Sequence, residues 1–171
     1  GFSFIICNRQ KLIESAGKAR SLALDLYDQW KTMEKDGKWR FTSPTHTVLA
    51  FAKAIEELKE EGGIPARAKR YYDNNRLLIR KMKEMGIQSY IGEEYQGPII
   101  TTFFYPEHHN FSFQEMYEFI KDRGYAIYPG KVTDADTFRI GNIGEIYRDD
   151  IEKLCDIFAE FFAQMEEKKV S

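Results

Sequence analysis

The residue whose chemistry stands out most is Arg139, in the segment "FRIGNIG" at positions 138–144. A guanidinium stays charged at any physiological pH, and its planar fork matches a carboxylate or a phosphonate through two parallel hydrogen bonds. Set inside an apolar, strand-like run, such a cation must reach water or meet an anion. The glycines that follow leave room for a ligand or another backbone to come close. Two readings stand side by side: an anion clamp, or an internal salt bridge to Asp134 or Asp136. The second candidate is "FTSPTH" at 41–46. There Thr42, Ser43 and several free N–H groups gather where a helix begins, an arrangement able to hold a phosphate. Simple capping of that helix by Thr42 or Ser43 is the competing reading.

Other constellations are weaker. His108 and His109 adjoin Glu107 and Asn110 but lack a third metal ligand at helical or hairpin spacing, so a solvated loop is expected and no metal. His46 falls in the first turn of a helix, where local hydrogen bonding suffices. The segment "GKVTDAD" at 130–136 has neither the order of a phosphate loop nor the ligand count of a calcium loop. Cys7 and Cys155 lie far apart and belong to no metal-spaced pair, which suits reduced thiols in a cytoplasmic protein.

These residues need a scaffold, and the chain can build one. Its 171 residues suffice for a buried core without disulfides or metals, and 43% are hydrophobic. Basic residues number 25 against 27 acidic ones, a net charge of −2. That balance gives no case for nucleic acid or an anionic membrane as partner. No apolar run reaches membrane-spanning length.

The pattern predicts a buried strand at 2–7, then a short helix capped by Asn8 and stopped at Gly17. A helical stretch ends at the Asp36-Gly37 turn. A helix with Pro44 in its first position carries Val48, Leu49, Phe51, Ala52, Ile55 and Leu58 on one face. Gly62-Gly63 end it and form the best candidate hinge. A long helix is expected over 65–85, closed by Gly86. Strands are expected at "IQSYI", "PIITTFFY" and "DTFRI", and "YAIYPG" reads as a strand running into a turn. A helix capped by Ser112, with Glu115 three positions on, and a long final helix complete the order. The expected class is α+β, a small antiparallel or mixed sheet covered by helices.

The stretches "RSLALDLYDQWKTMEKDGKWRFTSPTHTVLAFAKAIEELKEEGG" and "YPGKVTDADTFRIGNIGEIYRDDIEKL" closely resemble the 2-aminoethylphosphonate:pyruvate aminotransferases. These are class V aminotransferases of fold type I that use pyridoxal 5'-phosphate. The resemblance runs over essentially the whole chain, and "LDLYDQW" and "FRIGNIG" are its specific parts. It implies that residues 1–62 are the tail of the large cofactor-binding domain and that 63–171 form the small C-terminal domain. It implies a homodimer with active sites at the interface, acting on 2-aminoethylphosphonate and pyruvate to give phosphonoacetaldehyde and alanine. It assigns Arg139 to the acidic group of the substrate, and Thr42 to the cofactor phosphate of the neighbouring subunit. Trp39 stands where related class V enzymes often have tyrosine, and no role is carried to it. The Schiff-base lysine of the family would lie upstream of Gly1, so no catalytic residue is expected in this chain. Lys11, Lys18 and Lys131 read as surface lysines. The chain alone is therefore expected to be inactive, with no covalently bound cofactor. A reading from another class is a non-catalytic α+β module that binds a small anion or a protein partner.

Overall fold

A computed structural model describes residues 1–107, 111–130 and 135–167. The chain divides into two compact units, Gly1–Glu60 and Glu61–Ser171.

The first unit is helical. Asn8 caps α1 (Arg9–Glu14), its side chain accepting from the Lys11 N–H. Asp25 caps α2 (Leu26–Asp36) in the same way through Asp28 N–H, and Gly37 ends it in the left-handed conformation expected of a helix terminator. The third helix, α3, spans Thr45–Glu60. Pro44 lies one place before it rather than in its first position, and its carbonyl accepts from Val48 N–H.

No residue of this unit is buried. On α3, Val48, Ile55 and Leu58 are half-buried, while Leu49 and Phe51 of the expected apolar face are exposed. The strand expected at 2–7 does not form. Its backbone has no neighbouring strand among the described residues, and a strand without a partner has nowhere to place its N–H and C=O groups. Phe2 instead packs edge-on against Trp39 and Phe51, and Phe4, Ile5 and Ile6 face solvent.

The second unit has a sheet and a helical layer. It runs α4 (Gly63–Glu84), β1 (Ile100–Phe104), α5 (Phe113–Lys121), β2 (Tyr128–Pro129), β3 (Thr137–Gly141) and α6 (Arg148–Glu167). The sheet is antiparallel, in the order β1-β3-β2. α5 is capped by Ser112, which accepts from the Glu115 N–H.

Two of the expected strands shrink. "IQSYI" contributes a single bridge, Ser89 to Phe103, and "YAIYPG" keeps only the two residues of β2. Both sit at the rim of the sheet, where the ladder has one partner and frays. α4 starts at Gly63, two residues earlier than its pattern suggests, because Gly62 takes up the turn with φ +108°.

Alternation along the strands sorts the sheet into two faces. Thr101, Phe103, Phe138 and Ile140 point inward and are buried. They meet Leu78 and Met82 of α4, Met116 and Ile120 of α5, and Phe158 of α6. Phe138 is the centre of this core, with the rings of Phe103 and Phe158 at 5.7 and 6.0 Å. Each such side chain contributes about 1.5–3 kcal/mol on burial. Ile100, Thr102, Phe104, Tyr128 and Arg139 point to the other face and stay partly or largely exposed.

Candidate functional site

Arg139 occupies the middle of the central strand, on the face turned away from the helices. Its Nε donates to the Pro129 carbonyl at 3.3 Å, which leans the side chain over β2. Its two terminal nitrogens have no protein hydrogen bond among the described residues. No ion pair joins it to Asp136, and Asp134 lies outside the described residues. Thr102 on β1 and Tyr128 on β2 are its direct cross-strand neighbours. Tyr90 and Phe104, whose rings are 5.3 Å apart, extend the same face. The arrangement holds a guanidinium by one nitrogen and presents the other two, among aromatic side chains, on an open sheet surface. That is a geometry for receiving an oxyanion.

The residues after Arg139 serve the backbone. A Cβ on Gly141 would meet only the Ile99 carbonyl, at an ordinary 3.8 Å, so no close approach requires glycine there. Gly144 does need to be glycine, with φ +97°, and its N–H donates to the Tyr71 hydroxyl at 3.2 Å. Asn142 is fully buried; its Nδ2 donates to the Pro98 carbonyl at 2.9 Å and the Tyr71 carbonyl at 3.2 Å.

A second set of contacts ties the same loop to α4. Arg70 donates through Nη1 to the carbonyls of Gly144 and Ile146, and Asn74 donates to Ile146 as well. Asn75 donates to Thr101 on β1, and both partners are buried. Glu61 holds Arg70 at 2.7 Å and Arg67 at 2.6 Å. Hydrogen bonds from Arg70 and then Arg67 pull the Glu61 carboxyl down to about 2. No sequence motif marks this polar frame. One signal existed: "DNN" in the middle of a long helix, where asparagine is a poor helix former and needs another reason to be present.

Thr42 is exposed in the segment just before α3, and its hydroxyl has no hydrogen bond among the described residues. Ser43 and Thr45 hydroxyls lie 3.2 Å apart, and no side-chain bond from Thr42 or Ser43 to the α3 N–H groups is present among those residues. Thr42 and Arg139 belong to different units. Trp39 packs against Phe2, and His46 is exposed in the first turn of α3. Lys11 is ion-paired with Glu14 and Lys18 is exposed. His108, His109 and Lys131 lie outside the described residues, as does most of "GKVTDAD". Among the described residues no group of three His, Cys, Asp or Glu side chains could hold a metal ion, and no helix is long and apolar enough to cross a membrane.

No family model matches the sequence. Curated relatives do. The chain is 56% identical over 161 residues to a 2-aminoethylphosphonate–pyruvate transaminase of Lysinibacillus sphaericus, and 57% identical over 161 residues to one of Bacillus mycoides. Each match covers 94% of this chain and 44% of the relative, so the chain spans less than half the length of these relatives. Among solved structures, a subgroup IV aspartate aminotransferase from Thermus thermophilus superposes with a TM-score of 0.66 at 24% identity. An alanine–glyoxylate aminotransferase from Nostoc sp. gives 0.67 at 18%. Both superpositions cover 85% of this chain and 40% of the other, and at such identities they speak for the fold. The chain is thus a sequence relative of the 2-aminoethylphosphonate–pyruvate transaminases along 94% of its own length, with a fold found in aminotransferases.

Proposed function

We propose that this chain is part of a cytoplasmic, homodimeric aminotransferase that moves the amino group of 2-aminoethylphosphonate to pyruvate, giving phosphonoacetaldehyde and alanine. In this reading residues 1–62 belong to the large cofactor-binding domain and residues 63–171 form the small domain, a division two residues from the boundary between the compact units at Glu60 and Glu61. The lysine that carries the cofactor lies in the part of the enzyme not spanned here, and the isolated chain is inactive. The observation that carries the activity is the 56% identity to transaminases of that name over 161 residues. The observation that carries the site is Arg139, with two terminal nitrogens presented on an open sheet face.

Bound pyridoxal phosphate supplies the electron sink for the chemistry. The residues present fit that group at one point: the exposed, unengaged hydroxyl of Thr42 is suited to donate to the phosphate of the neighbouring subunit's cofactor. Arg139 clamps phosphonate in one half-reaction and carboxylate in the other, because both present paired oxygens to the fork. Held at Nε by Pro129, the guanidinium is already oriented, so little rotational freedom is lost on binding.

Arg139→Lys in the intact enzyme tests this. Lysine keeps the charge and loses the fork, so kcat/KM should fall roughly 10- to 100-fold for both 2-aminoethylphosphonate and pyruvate. Unchanged kinetics with both would remove Arg139 from the site. A second check uses the 171-residue chain itself. After incubation with pyridoxal phosphate and borohydride reduction, no single lysine should be labelled stoichiometrically.

A further inference from the structure

We propose that Tyr128 is the residue that distinguishes phosphonate from carboxylate at the Arg139 site; this rests on the reading of Arg139 as the substrate clamp. A carboxylate has two oxygens, and a bidentate guanidinium satisfies both. A phosphonate is tetrahedral and has three. The fork takes two of them and leaves the third in need of a donor.

The sheet places one candidate on each side of Arg139. Tyr128 and Thr102 both pair with it directly, on β2 and β1. Side chains opposed in this way leave the sheet about 5 Å apart. The Nε bond to Pro129 decides between them, because it tilts Arg139 over β2, the strand that carries Tyr128. Reach agrees with tilt: a phenol extends about as far from its strand as a guanidinium, whereas a threonine hydroxyl stays close to the backbone. Tyr128 is 58% exposed on this face, and its hydroxyl has no protein hydrogen bond among the described residues. Its O–H is a donor able to serve a third oxygen beside the clamp.

The test compares Tyr128→Phe, Thr102→Val and Arg139→Lys in the intact enzyme, after thermal melts establish that each is folded. Tyr128→Phe should lower kcat/KM for 2-aminoethylphosphonate roughly 10- to 100-fold, the loss expected of a hydrogen bond to a charged group, and change that for pyruvate by less than about threefold. Calorimetry should show the same selectivity, with ethylphosphonate binding weakened and propanoate binding retained. Equal effects on both anions, no effect on either, or a selective loss with Thr102→Val instead would overturn the assignment to Tyr128. If Arg139→Lys leaves both half-reactions intact, the clamp itself fails. If Arg139→Lys lowers both and Tyr128→Phe is silent, only the role of Tyr128 fails.

Discussion

The amide of Asn142 ties three separate stretches of chain: its own loop after β3, Pro98 before β1, and Tyr71 on α4. Removing it leaves two carbonyls without their donor in a buried place. Asn142→Ala should cost about 2–4 kcal/mol, read as a lower urea midpoint with an unchanged slope. Gly130 is a second such position. Its N–H donates to the Thr137 carbonyl at 2.8 Å, and a Cβ there would overlap the Thr137 hydroxyl and come within 2.6 Å of that carbonyl oxygen. Gly130→Ala should therefore cost about 1–3 kcal/mol by overpacking, with an altered Thr137 amide resonance as its local signature. The two thiols differ as sharply. Burial pushes Cys155 up to about 12, whereas Cys7 is exposed. One thiol per chain should react with a disulfide reagent in native buffer and two in denaturant.

At the scale of elements, α4 is fixed at its start by Glu61, whose carboxyl binds two arginines, Arg67 and Arg70. Arg70 in turn holds the Gly144 and Ile146 carbonyls, so this ion cluster anchors the loop that follows the Arg139 strand. The folded carboxyl titrates near 2 against an ordinary 4.5. A depressed acid stabilises the fold above its unfolded pKa and loses that contribution as pH falls towards the folded value. Glu61→Gln should thus be less stable than the parent at pH 7, and the gap should close between about pH 4.5 and 2. A gap independent of pH over that range would remove the ion cluster from the stability of the unit.

Helices were the legible elements. Asn8 and Ser112 cap where their types suggest, because a cap is decided within four residues. Strand extents were less legible, because a strand exists only through its partner. The stretch 125–130, which reads as a strand running into a turn, keeps only the two rungs of 128–129 on β3. Arg139 was legible as a candidate from its type alone. Its freedom from Asp136 and the tilt over β2 were not, since both depend on the register of strands far apart in sequence.

Taken whole, the chain has two units of very different character. Glu61–Ser171 has a core in which Phe103, Phe138, Phe158, Leu78, Met82, Met116 and Ile120 are essentially without solvent contact. Gly1–Glu60 buries no residue and exposes Phe4, Ile5, Ile6, Leu22, Leu24 and Leu49. Helices without a buried residue have little apolar packing to hold them, and α1, with six residues, is far below the length at which an isolated helix persists. Native-state hydrogen exchange on this chain should separate the two. Amides of β1, β3 and the facing turns of α4 and α6 should be protected by factors on the order of a thousand or more, approaching global stability. Those of α1 and α2 should exchange within about tenfold of the unprotected rate. Strong protection in the first unit would mean that its apolar side chains find cover in solution, in a second copy or elsewhere. The dependence of that protection on protein concentration would then identify which, since only association between copies rises with it.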